Sequence, residues 1–346
     1  MSFDRRTFFE HSLAAASGLA LGACFSARHS VDGLTILDMQ LGWLAGGNQL
    51  GEVVAKRLGY LEEEGIYLEI HPGGPHIAGV GIVASGRYEL GQVSSSPSLM
   101  LAVSQGIPIR CFAVSVQQHP YSYFSLPRNP VRRPEDLVGK KVGTNATGRV
   151  LLNALLARHG IDPSALEIIV VGSSMMPLLT GQVHVITGWT TNVTALAPLG
   201  EDRLTMRLWD QGIQLYAMPY YATLETLETQ DHLLEGFLRA TGRGWELAYH
   251  EPEKAVELLV EEYPILRYED ELAAVREMLG YVFTDKTREH GWGTMDRETW
   301  SAQIRTYEDL SQFTNTVPTV DDVMTLSLLE ATRGARPQLD SGPYAP

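Results

Sequence analysis

The chain has 346 residues, 44% of them hydrophobic and 20% charged, which is material for two domains of roughly 100 to 200 residues each. Twenty-seven Lys plus Arg against 41 Asp plus Glu give a net charge of −14. The basic residues form no stripe, so a nucleic-acid partner would be repelled at long range, while a small anion held by local donors is not excluded.

Residues 1–24 read differently from the rest. Arg5-Arg6 precede Thr7-Phe8-Phe9 and a weakly apolar run from Leu13 to Ala23, ending in Leu21-Gly22-Ala23-Cys24. The paired arginines look like a twin-arginine export signal, and Leu-Gly-Ala-Cys looks like a lipobox with Cys24 as the acylated residue; a plain cleaved signal is the alternative. The apolar run is too short for a bilayer core of about 30 Å. Only two cysteines occur, and losing or acylating Cys24 leaves Cys111 unpaired, so the fold must be held by its core alone.

A polar linker reaches to about Gly33, and strand and helix patterns then alternate. Residues 34–43 read as a strand, 48–65 as a helix stopped by Gly65, 66–72 as a strand, 75–86 as a helix, 88–95 as a strand, 97–106 as a helix and 107–118 as a strand. Such a βαβ series predicts a mainly parallel, doubly wound sheet. A second series follows: strand 134–145 after a turn, helix 146–160, strand 166–174, short helix 175–182, strand 183–191, and a return through 204–212 and 215–223. Beyond about Glu225 the pattern is mostly helical, clearest over 231–250 and 251–263, and residues 333–346 read as a disordered tail. Two α/β units joined by strands that cross and return predict two lobes with a cleft, at which loops after strands converge.

The motifs Val53–Ile70, Gly73-Gly74-Pro75, Val83–Gly91, Pro134–Gly143 and Leu178–Trp189 together resemble the solute-binding proteins of ABC importers, in the group that binds thiamine pyrimidine precursors, riboflavin, taurine or sulfonates, and nitrate. The resemblance implies a type II periplasmic-binding-protein fold: α/β, two lobes, each a mainly parallel sheet flanked by helices, the cleft between them. It divides the chain into lobe one (34–118), lobe two (119–217), a return to lobe one with C-terminal helices (218–334) and the tail (335–346). It implies ABC permease and ATPase partners, a monomer, a periplasmic or cell-surface location, no cofactor and no catalytic residue. The pyrimidine branch also resembles a fungal pyrimidine synthase with a cysteine-rich iron-binding run. No cysteine cluster occurs here, so an enzyme is not expected.

Gly73-Gly74-Pro75 lacks the lysine of a Walker loop, and Pro75 has no N–H. It reads instead as a turn letting backbone approach a ligand, or as a bare strand-to-helix turn. His71 and His76 flank it as a weak metal pair, and no metal is expected. On the other predicted cleft loops, Trp43 and Trp189 could stack on a flat ligand or pack in a core. Asn48, Asn145 and Asn192, with Ser95, Ser96 and Thr144, could donate hydrogen bonds or merely cap helices. Gln118, Tyr121 and Tyr216 fall on the crossings, as hinge or pocket residues. Trp292 and Trp300 read as packing. Tryptophans and amides with few cations favour a heteroaromatic nutrient, such as a thiamine pyrimidine precursor; Arg149 alone keeps taurine, alkanesulfonate or nitrate open. Further alternatives are a pyrimidine-precursor biosynthetic enzyme and a ligand-sensing domain.

Overall fold

The computed structural model describes residues 30–345 other than 75, 76 and 173; Arg5, Arg6, Cys24 and His76 lie outside the described residues. Its eleven described strands form two sheets. In lobe one, β1 (Ser30–Val31), β2 (Leu34–Leu41), β3 (Ile66–His71), β4 (Leu90–Gln92) and β5 (Ile109–Val116) belong to one sheet. Lobe two holds β6 (Tyr121–Ser125), β7 (Lys141–Thr144), β8 (Glu167–Val170), β9 (Val185–Trp189) and β10 (Leu204–Arg207), and β11 (Ala217–Thr223) returns to the first sheet between β4 and β5.

Both sheets are mixed rather than mainly parallel, each with one reversed long strand in its interior. β11 runs antiparallel to β4 and β5, and β6 runs antiparallel to β9 and β10. Each is the first strand after a crossing. A chain arriving from the other lobe enters at the cleft-facing end, where the parallel strands finish, and so must run the opposite way.

The helices follow the apolar periodicity. The stretch 48–65 is not one helix: α1 (Leu50–Arg57) and α2 (Tyr60–Glu63) are separated at Gly59, which adopts a left-handed φ of 78° that glycine tolerates best. Next come α3 (Gly79–Ala84), α4 (Ser96–Ser104), α5 (Ala146–Arg158), α6 (Met176–Leu179), α7 (Val193–Leu196), α8 (Leu224–Thr229), α9 (Asp231–His250), α10 (Pro252–Glu262), α11 (Tyr268–Val282), α12 (Asp285–His290) and α13 (Arg297–Asp309). α9 buries Leu233, Leu234, Phe237, Leu238, Trp245 and Ala248 against lobe one. Trp292 and Trp300 are fully buried and meet Tyr220 and Tyr216. One cluster holds the lobe-one core; a smaller one around Phe124, Leu178, Ile186 and Leu199 fills the other face of lobe two.

The C-terminal segment corrects an expectation. Residues 333–345 pack on the C-terminal helices: Trp292 N donates to Pro337 O at 2.8 Å and the Tyr344 hydroxyl to Tyr249 O at 2.9 Å. Arg336 is 4% exposed. Its guanidinium donates to the carbonyls of Trp292 and Leu329 and to Thr332 Oγ1, and burial lowers its pKa to about 10. A polar, proline-containing segment is ordered here because its donors satisfy carbonyls that would otherwise be buried without partners.

Candidate functional site

The lobes are joined by 117–120, between β5 and β6, and by 208–216, between β10 and β11. The two crossings touch where His119 N donates to Leu215 O at 3.0 Å. α11 clasps them from the side. Its Tyr281 carbonyl accepts from Gln117 N at 2.8 Å and Gln118 N at 3.4 Å, and its hydroxyl accepts from Thr190 of lobe two at 2.9 Å and donates to Glu277. Arg207 lies over the Tyr281 ring at 5.0 Å and donates to Gln118 Oε1 at 2.6 Å. Tyr281→Phe keeps ring and cation but removes the bridging hydroxyl; a loss of about 1 kcal/mol in denaturant unfolding is expected, and an unchanged midpoint would show that the bridge adds nothing.

Three lobe-one loops reach the cleft from the ends of β2, β3 and β4. They touch so closely that glycine is needed between them. A Cβ on Gly73 would come within 2.3 Å of Leu41 O and 2.6 Å of Gly42 C, and one on Gly42 would meet Gln92 O at 3.0 Å. Gly73 N also donates to Trp43 O at 2.9 Å. Gly73 thus seats the Trp43 loop by backbone approach, leaving Trp43 half exposed on the rim beside Gly74. His71 is tied by Nε2 to Asp38 at 2.5 Å and stacks on Tyr88. Among the described residues no group of three or more His, Cys, Asp or Glu could hold a metal ion.

In lobe two, Tyr121 faces Trp189 across the β6–β9 pairing. Its hydroxyl is 3.2 Å from Thr144 Oγ1, which accepts from Thr187 at 2.8 Å; burial raises the Tyr121 pKa, against the opposing effect of these hydroxyls. Gly148 permits this chain, since a Cβ there would stand 1.9 Å from the Tyr121 hydroxyl. Asn145 is exposed and caps α5 through Gly148 N at 2.8 Å. Trp189 is half-buried with His119 edge-on at 5.0 Å. The sequence reading passed over His119, which sits among the crossing residues it named. Its Nδ1 accepts from Tyr121 N at 3.2 Å, which puts the proton on Nε2, and Nε2 has no partner among the described residues. Burial lowers its pKa to about 3, so the ring is a neutral donor.

At its hinge end the cleft deepens into a chamber of about 140 Å³ between the lobes. Gly46, Gly47 and Asn48 line it from lobe one, Thr191 and Asn192 from lobe two, and Glu271, Ala274, Val275 and Met278 from α11. Asn48 and Asn192 are thereby brought together. Glu271, which sequence could not single out among the charges of "YEDEL", accepts from Gly47 N at 2.9 Å; partial burial raises its pKa.

Three expected contacts are corrected. Ser96 is fully buried, donating to Gln303 Oε1 at 2.6 Å and accepting from Tyr216 N. Tyr216, 1% exposed, donates to Asp296 and packs on Trp300. Both belong to the lobe-one interior because the return crossing packs against α13. Gln118 has its carbonyl oxygen taken by Arg207 and serves the hinge. Ser95 stays half-buried at the start of α4, bridged to Ala217. Arg149 is exposed on α5. No helix of the described residues is long and apolar enough to cross a membrane.

Comparison with known proteins agrees with this architecture. Residues 47–255, more than half of the chain, match the family described as NMT1/THI5 like. A 4-amino-5-hydroxymethyl-2-methylpyrimidine phosphate synthase of Legionella pneumophila is 28% identical over 240 residues, 67% of this chain and 75% of that one. A formylaminopyrimidine-binding protein of Halalkalibacterium halodurans is 24% identical over 303 residues, covering 83% and 89%. Among solved structures, the periplasmic aliphatic sulphonate binding protein SsuA of Escherichia coli superposes with a TM-score of 0.61 at 17% identity, over 80% of this chain and 87% of that one; the shared fold is the two-lobed periplasmic-binding-protein fold. The synthase overturns the expectation that the chain is not an enzyme: a relative 28% identical over two thirds of the chain is named for catalysis, so a missing cysteine cluster does not exclude it. The chain belongs to the NMT1/THI5-like family.

Proposed function

We propose that the cleft captures a small heteroaromatic solute of the thiamine-pyrimidine-precursor class, and that the protein is the exported substrate-binding component of an ABC importer. The observation carrying this reading is the chamber at the hinge end. Two amides, from Asn48 and Asn192, and the Glu271 carboxylate offer donors and acceptors to the edges of a ring, while Val275 and Met278 supply an apolar wall and no arginine lines it among the described residues. A flat aminopyrimidine presents those edges in its plane and apolar faces above and below. Trp189 and Trp43 are the stacking candidates, with Gly74, Ser95 and Asn145 on the rim; Tyr121 and Thr144 hold the lobe-two floor. Closure of the lobes about the two crossings would remove the ligand from water. Export by Arg5-Arg6 and anchoring at Cys24 belong to the same reading.

The test is a thermal-shift series with hydroxymethylpyrimidine, formylaminopyrimidine, taurine, an alkanesulfonate and nitrate. A ligand at 100 times its dissociation constant adds about 2.7 kcal/mol. We expect a pyrimidine to raise the melt, and Asn192→Leu or Trp189→Ala to weaken binding by about tenfold or more. A shift by sulfonate or nitrate alone would replace the heteroaromatic reading with an anion one, pointing to Arg149.

The name of the Legionella relative favours a second reading, synthesis of the pyrimidine. Mass spectrometry of the pyrimidine and of the protein after incubation separates the two: capture leaves both unchanged, whereas synthesis consumes a precursor or a protein side chain.

A further inference from the structure

A second cavity, about 280 Å³, opens at the other end of α5, about 20 Å along the helix from its cleft-facing start. Its walls come from three places: Arg158 at the end of α5 in lobe two, the return crossing from Gly212 to Leu215, and Gln303, Arg305 and Asp309 of α13. Gly212 adopts a φ of 84°, and a Cβ on it would lie 2.3 Å from Arg158 Nε; the bare glycine lets the guanidinium rest against the crossing. His159 holds the helix end there through Gln211 O at 3.1 Å.

The charges in this cavity are unbalanced. Among the described residues neither Arg158 nor Arg305 has a carboxylate within ion-pair distance, although Asp309 lines the same space and the chain carries a net −14. Arg305 donates only to Ser301 Oγ, at 3.0 Å. Gln303, 1% exposed, has its Oε1 occupied by Ser96, and its Nε2, buried from solvent, has no partner among the described residues. Two guanidiniums without a carboxylate partner, one of them held only by Ser301, face one cavity as donors without an anionic acceptor.

We propose that this cavity is a second binding site, for a small oxyanion of the phosphate or carboxylate class held between Arg158 and Arg305. It stands apart from the cleft, and its oxyanion chemistry is the same whichever class of ligand the cleft takes. Because one cation belongs to lobe two and the other to the α13 side, an occupant favours the hinge angle at which both reach it. By linkage its affinity and that of the cleft ligand then depend on each other.

The test is titration of the full exported chain with inorganic phosphate and, separately, citrate, at constant ionic strength against chloride, read by thermal shift and, for phosphate, by ³¹P line broadening. A saturable rise of a few degrees is expected, lost in Arg158→Gln/Arg305→Gln and kept in Arg149→Gln, with the anion giving the larger rise identifying the source. Both arginines are exposed, and the single Arg305→Gln, with at least a fivefold loss, serves if the double variant does not fold. No rise beyond chloride, or a rise that survives the double variant, overturns the site.

Discussion

Glu52→Gln is expected to stabilise the protein at pH 8 and to leave its stability nearly unchanged at pH 4.5. Glu52 is fully buried in α1, where its Oε1 accepts from the Tyr220 hydroxyl at 2.6 Å and from Gln92 Nε2 at 3.2 Å, while Oε2 has no partner among the described residues. Desolvation outweighs both bonds and raises its pKa from 4.5 to about 7. The folded state therefore prefers the protonated acid. That preference stabilises the fold fully below pH 4.5 and is lost as pH rises through about 7, a change of about 3 kcal/mol. Glutamine keeps an acceptor for Tyr220 and removes the charge, so its advantage must grow across that window. Melting temperatures at the two pH values decide it, and an equal effect at both would rule out Glu52 as the titrating group. The network also runs to the chamber, since Gln92 Oε1 accepts from Gln49 Nε2 at 2.7 Å and Gln49 Oε1 accepts from Gly46 N. Glu52 is thus connected through two glutamines to the loop that lines the chamber.

Gly244→Ala is expected to be among the most damaging single-methyl additions outside the cleft. α9 crosses α1 where Gly244 meets Gly51, and a Cβ on Gly244 would stand 1.9 Å from Gly51 O and 3.1 Å from Ala55 N. These are backbone atoms that no rotamer change can move. The helices must separate, loosening Val53, Val54, Phe237 and Trp245, all buried there. Overpacking of this kind costs about 3 kcal/mol or more, or roughly 6–12 °C in melting temperature. Gly172→Ala, whose added Cβ meets nothing within 4 Å, is the matching control and should be neutral. A Gly244→Ala variant melting with the control would mean that the α1–α9 contact is looser than described.

Most strands and helices through β9, though neither β1 nor β6 nor the break of the first helix at Gly59, together with the two-lobed class and the family, are properties of the sequence itself. They rest on local signals: apolar periodicity, glycine stops, and motifs such as Val83–Gly91 and Pro134–Gly143 whose spacing survives without any tertiary information. The sequence likewise brought Asn48, Trp189 and Asn192 forward, because amides and tryptophans directly after apolar strands land where loops converge. Contacts between distant residues were decided by the tertiary structure alone. Ser96 and Tyr216 turn inward because α13, two hundred residues after Ser96 in the chain, covers them, and the tail is ordered because Arg336 finds carbonyls on α15 (Ser327–Ala331) and beside Trp292. His119 is a neutral, unpaired donor only because both crossings bury it. Glu271 reaches the chamber only because α11 packs across the hinge, an arrangement set by long-range burial that no local pattern in "YEDEL" records.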